Sequence, residues 1–154
     1  MIRFSINPQK SHAEILASFA LARFLAGLSS NDQDRSRLCA RCLAAISENV
    51  PKIRSKISSL DKGLTKVANL LEAEDDTAGN ASLIIANCLT DDVDPKILIP
   101  KLINLVDNSK SNKTRKNAAI ALSKSASLSD TARDVFRQNH GLEILKSRMS
   151  QIKL

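Results

Sequence analysis

The feature that most constrains this chain is an internal repeat. Cys39-Ala40-Arg41-Cys42-Leu43-Ala44-Ala45-Ile46 aligns with Ala81-Ser82-Leu83-Ile84-Ile85-Ala86-Asn87-Cys88. Both align with Ala118-Ala119-Ile120-Ala121-Leu122-Ser123-Lys124-Ser125. From residue 39 to 81 is 42 positions, and from 81 to 118 is 37. The first, fourth, fifth, sixth and eighth columns are small or aliphatic throughout. A polar break and an earlier apolar segment (Phe24-Leu25, Leu70-Leu71, Leu105-Val106) precede each block. Gly63-Leu64 and Gly141-Leu142 form a second anchor, 78 positions apart, about two periods. Each block is apolar on too many sides for one partner to bury, so neighbouring units must stack into a continuous core. Small residues such as Ala81, Ala86, Ala118 and Ala121 let the stacked helices approach closely.

The residue pattern within the units is helical. Ile15, Phe19, Ala22 and Ala26, with Leu16, Ala20, Phe24 and Leu28 beside them, predict a well-buried helix over 12–28, capped by Ser11 with Glu14. Ser29-Ser30-Asn31-Asp32 breaks it. A second helix over 33–48 is expected to face inward with Leu38, Cys42 and Ala45/Ile46. Pro51 starts a shorter helix carrying Ile53, Ile57 and Leu60. Further helices follow Gly63 and span 78–90, with Glu72–Asp76 as an acidic break. Pro100 is expected to end or kink a short lead-in helix before Leu102–Val106. The remaining helices run over about 113–127, 130–139 and from Gly141. Aromatic residues are only 3% of the chain, with Gly and Pro four each, which argues against a sandwich or barrel.

A helical period near 40 is that of armadillo and HEAT units. Arg115–Lys124 and Asn80–Leu89 resemble armadillo third helices. The expectation is an all-α, armadillo-like/HEAT-like right-handed superhelix of about three repeats in a single domain, 1–154. The repeats fall roughly at 12–60, 61–94 and 95–140, with a partial unit at 141–154. The block Asn80–Leu89, the helix Lys116–Lys124 and the ending Arg137-Gln138-Asn139-His140-Gly141-Leu142-Glu143-Ile144-Leu145 together resemble the C-terminal armadillo region of the tetratricopeptide repeat protein 12 family. That resemblance implies a cytoplasmic assembly factor for axonemal dynein arms, with dynein heavy chains or chaperones as protein partners. This chain lacks the tetratricopeptide units of that family. The armadillo resemblance implies binding on a face lined by third helices. It places a protein-binding surface at Arg41, Ala45, Leu83, Asn87, Ile120 and Lys124, flanked by Arg37, Arg115 and Lys116. Importin-α-type members hold basic peptides with Trp and Asn arrays. Here Trp is absent, and the matching column reads Ala45, Asn87, Lys124, which argues against that ligand.

Enzyme chemistry finds no foothold in the residues. Four glycines build no phosphate-cradling loop, and neither Gly-x-Ser-x-Gly nor His-Glu-x-x-His occurs. Cys39-x-x-Cys42 has no second pair for zinc, and Cys88 lies 46 positions beyond Cys42. Cys39 and Cys42 are expected to be small core residues, and all three cysteines to be reduced, without a disulfide framework. His12 and His140 show no ligand spacing. Glu72–Asp76 and Asp91, Asp92, Asp94 lack the alternation and glycine of a calcium loop. No cofactor is expected. No apolar run spans a membrane and the start lacks a secretory pattern, so a cytoplasmic chain is expected.

The net charge of +7 is uneven. Residues 1–60 carry nine Lys/Arg against four Asp/Glu, residues 61–94 two against eight, and residues 95–154 twelve against four. Lys110, Lys113, Arg115 and Lys116 crowd the start of a helix, where cations oppose its dipole. They fit a plain solvated helix surface or contact with an acidic protein segment. The alternative is a nucleic-acid-associated helical-repeat protein using the basic C-terminal third, although aromatic stacking platforms for single strands are missing.

Overall fold

The computed structural model describes residues 12–60 and 62–150. Nine α-helices account for most of them: α1 (His12–Gly27), α2 (Gln33–Asn49), α3 (Pro51–Ser59), α4 (Gly63–Asn69), α5 (Asp75–Cys88), α6 (Pro95–Asn108), α7 (Asn112–Ser127), α8 (Asp130–Gln138) and α9 (Gly141–Met149). A single 3₁₀ turn, Leu70–Glu72, extends α4. There is no strand among the described residues. The chain is an all-α superhelix of stacked helical units.

The sequence breaks become helix caps. Asp32 accepts from the Asp34 and Arg35 N–H groups at 3.0 and 3.2 Å. Asp94 accepts from the Lys96 N–H, Ser111 from that of Thr114 and Ser129 from that of Ala132. Each side chain satisfies an N–H that its helix leaves open. At the other end of α2, the Arg54 guanidinium donates to the carbonyls of Ser47 and Glu48 at 2.6 and 3.0 Å.

The units stack through α2, α5 and α7, with α5 in the middle. Its buried set is almost continuous: Thr77–Ser82, Ile84–Ala86 and Cys88. Only a sequence apolar or small on nearly every side can do this. The fully buried Leu43, Ile84, Ile85, Ile99, Leu102 and Leu122 form the spine of the core. α3, α4, α6 and α8 pack against these three helices, and α9 packs against α6 and α8.

Four local expectations are corrected. α6 runs unbroken through Pro100. The ring removes only the bond to the carbonyl of exposed Lys96, and burial of Leu98, Ile99, Leu102, Ile103, Leu105 and Val106 outweighs that loss. α5 starts at Asp75, so the acidic break reaches into its first turn, where carboxylates suit the helix dipole. α1 buries Leu21 and Leu25, with Leu28 buried just past its end, while Phe19 (67% exposed), Ala22 and Ala26 face outward. α2 buries Ser36, Ala40, Leu43, Ala44 and Ser47; Leu38, Cys42 and Ala45 are exposed. The Ser11 cap lies outside the described residues, as do the surroundings of Ile15 and Leu16.

Two junctions share one geometry. Lys62 and His140 both adopt the left-handed conformation, at φ 53° and 55°. Each precedes a glycine that opens the next helix, α4 and α9. The repeat seen in the letters is thus repeated in backbone conformation.

Candidate functional site

The ladder of α2, α5 and α7 is held by hydrogen bonds that span about one period. Asn87 donates its Nδ2 to the Ser47 hydroxyl at 3.2 Å. Asn117 Nδ2 donates to the Gly79 carbonyl at 3.1 Å, and Lys124 Nζ to the Ala86 carbonyl at 2.6 Å. The Thr114 hydroxyl donates to the Asp75 carbonyl at 3.0 Å. The Asp75 carboxylate accepts from the Ser109 hydroxyl at 2.5 Å and the Ser111 N–H at 3.0 Å. These bonds fix the spacing of the helices and so the shape of their open face.

A groove of about 430 Å³ runs along that face. It brings together five of the nine residues assigned to a binding surface: Arg41, Ala45, Leu83, Lys116 and Ile120. Leu83 is half-buried, and Ile120 is 40% exposed. The other four are placed elsewhere or already engaged. Asn87 and Lys124 tie the ladder together, as above. Arg115 Nε donates to the Ser109 carbonyl at 2.6 Å and braces the turn before α7. Arg37 pairs with Asp34 at 2.7 Å and lies 3.8 Å from Glu74. Five groove residues were not anticipated there: Ala44, Glu48, Asn80, Lys113 and Asn117. The cluster of cations at the start of α7 pointed to Lys113; Glu48 left no signal, because it belongs to a different repeat column.

The thiols separate by environment. Cys39 is half-buried, Cys42 exposed and Cys88 buried, which corrects the core placement of Cys42. Burial raises the Cys39 thiol above its ordinary value, Arg35 pulls it back and Cys42 adds a smaller push upward. Burial pushes Cys88 up to about 11, against a downward pull from Arg54. The thiolate is the reactive form. Alkylation near neutral pH is therefore expected at Cys42 first, at Cys39 more slowly, and at Cys88 only on unfolding. Peptide mapping after a timed iodoacetamide pulse checks this order, and early labelling of Cys88 would contradict its burial. The folded chain also holds the Cys88 proton more tightly than the unfolded one. This contribution to stability is full below the ordinary thiol range and is lost as pH rises toward 11.

Among the described residues no group of three or more His, Cys, Asp or Glu is placed to hold a metal. Asp92 accepts from the Thr90 hydroxyl at 3.0 Å, and Asp94 caps α6, so both acids serve turns. No helix of the described residues is long and apolar enough to cross a membrane.

Fold and face together define a helical-repeat protein with a grooved ladder of stacked helices. No family model matches the chain. It is 30% identical to human Tetratricopeptide repeat protein 12 over 146 residues, covering 90% of this chain and 21% of that protein. The mouse protein of the same name is 27% identical over the same coverage. The chain therefore spans about a fifth of the length of these relatives. A crystal structure of an engineered protein shares the fold, with a TM-score of 0.67 and 24% identity, over 83% of this chain and 54% of that one.

Proposed function

We propose that this chain is a non-enzymatic protein-interaction scaffold of armadillo type, and that its binding surface is the groove on α2, α5 and α7. The observation that supports it most is the convergence of Arg41, Ala45, Leu83, Lys116 and Ile120 on one groove from three repeats. An open, partly apolar groove with unengaged cations is suited to a protein segment. The wider set of protein-binding residues, Arg37, Asn87, Arg115 and Lys124, then supports the face from behind or at its edges.

The finer reading is a cytoplasmic assembly factor for axonemal dynein arms. It rests on the resemblance to tetratricopeptide repeat protein 12 and on the identity to the human and mouse proteins. The nucleic-acid alternative is weakened by the fate of the basic C-terminal third. Arg115 and Lys124 are engaged by backbone carbonyls, Arg148 by Asp107, and Arg133 and Arg137 by Asp130 and Asp134.

The test is affinity purification of the tagged chain from ciliated-cell extract, beside a Leu83→Glu/Ile120→Glu variant. Recovery of dynein heavy chains or chaperones by the wild type, lost in the variant, supports both readings. Recovery of other proteins, lost in the variant, keeps the scaffold and removes the dynein role. Equal recovery by both chains removes the groove from the proposal. Ile120 is exposed but Leu83 is half-buried against the core, so an unchanged thermal midpoint is needed to show that the variant is folded.

A further inference from the structure

We propose that the groove takes an extended acidic segment of a partner protein, with an apolar residue set among its carboxylates. This rests on the reading of the α2, α5 and α7 face as a protein interface.

The argument begins with which cations are left over. Arg37, Arg115 and Lys124 lie on or beside this face, and each is held by a carboxylate or a backbone carbonyl. Arg41, Lys113 and Lys116 make no hydrogen bond or ion pair among the described residues, yet they share one groove. Glu48 is the acidic residue lining it. Lys113 and Lys116 stand in the first turns of α7, at the positive end of its dipole, and no acidic residue occupies that first turn. Lys113, in the first turn, therefore works against the helix dipole, and neither lysine is paired within the described residues. An incoming carboxylate gains from both the ammonium groups and the helix end.

The lining between these cations is apolar. Ala45, Leu83 and Ile120 come from three successive units, and Ile120 remains 40% exposed. A purely ionic ligand would leave this surface wet. A leucine or phenylalanine between acidic residues covers it and excludes water from the flanking ion pairs. Nucleic acid fits less well. No aromatic ring lines the groove for base stacking.

The experiment is fluorescence anisotropy with the full chain and the labelled peptide Asp-Glu-Asp-Leu-Phe-Glu-Asp-Glu. A second peptide has Ser-Gly in place of Leu-Phe, and a short DNA duplex is the third probe. The first peptide is expected to bind, and the second at least about tenfold more weakly. Lys113→Glu/Lys116→Glu is expected to weaken the first peptide by at least about tenfold, with the remaining affinity less sensitive to salt. Circular dichroism melting confirms that the variant is folded. Absence of peptide binding, equal binding by the variant, or preference for the duplex overturns the proposal. So does self-association of the free chain that the variant abolishes, which would make the acidic surface of a second copy the occupant. If the peptide fails while Leu83→Glu/Ile120→Glu still loses a cellular partner, the interface stands and the acidic specificity falls. If both fail, the interface falls with it.

Discussion

Gly79→Val is expected to destabilise the fold by about 3 kcal/mol or more, the upper end of what overpacking a core costs. For a chain of this length that is a fall of roughly 6–12 °C in the thermal midpoint. The cause is the contact between α5 and α7. A Cβ on Gly79 would lie 2.5 Å from the Thr114 hydroxyl oxygen and 3.3 Å from both Cα and Cβ of Thr114. Threonine is stiff about χ1, and this hydroxyl already donates to the Asp75 carbonyl. It cannot swing aside without losing that bond, worth about 1 kcal/mol net. The helices must separate, which also lengthens the bond from Asn117 to the Gly79 carbonyl. Gly79→Ala is the informative control. It regains about 1 kcal/mol of helix propensity and presents a smaller obstruction, so its net loss should be clearly smaller. Differential scanning calorimetry of the three chains gives the ranking. A valine variant that melts with the wild type would mean that α5 and α7 do not approach so closely. The valine variant should also weaken peptide binding, because Leu83 and Ile120 sit on the two helices forced apart.

The stacking of units was legible in the letters because it is written in small residues at matching columns, and small residues are what close helix approach demands. The rotation of α2 was not. Its apolar letters Leu38, Cys42 and Ile46 describe a plausible inward stripe, but the buried face includes Ser36 and Ser47. The Ser36 hydroxyl donates to the Leu28 carbonyl at 3.0 Å and the Ser47 hydroxyl to that of Ala44 at 2.8 Å. A hydroxyl whose donor is satisfied by a carbonyl is inexpensive to bury, and a letter does not reveal that. The same reason hid which cations stay available. Arg115 and Lys124 resemble Lys113 and Lys116 in sequence, but the former pair meets the carbonyls of Ser109 and Ala86. Backbone acceptors carry no side-chain signature. The groove was therefore half visible: its columns follow from the repeat, and its net charge follows only from the folded chain.

Gly63→Ala is expected to cost about 2–4 kcal/mol, and Gly141→Ala distinctly less, although the two glycines occupy the same place in the repeat. Both follow a left-handed residue, Lys62 and His140, and both open a helix without a side-chain cap. Their neighbours differ. A Cβ on Gly63 would run into the backbone carbonyl oxygen of Ile57, whose side chain is fully buried. Moving that carbonyl means moving α3 against the core. A Cβ on Gly141 would run into the ring of Phe136, a half-buried side chain at the edge of the core. A ring near the surface can turn about χ1 and χ2 and give way at the expense of some packing. Urea unfolding followed by circular dichroism measures both, and the midpoints should order wild type above Gly141→Ala above Gly63→Ala. The reverse order would mean that the Phe136 ring is the firmer obstacle. Lys62→Gly and His140→Gly complete the comparison. Each relieves a left-handed side-chain residue, worth about 1 kcal/mol or slightly more, against the extra freedom glycine gives the unfolded chain. Both should therefore lie within about 1 kcal/mol of the wild type, far from the loss at Gly63 one residue away. The junction thus separates two demands that a glycine pair would merge. The left-handed turn tolerates a side chain at 62 and 140, while the close approach of the next helix tolerates none at 63.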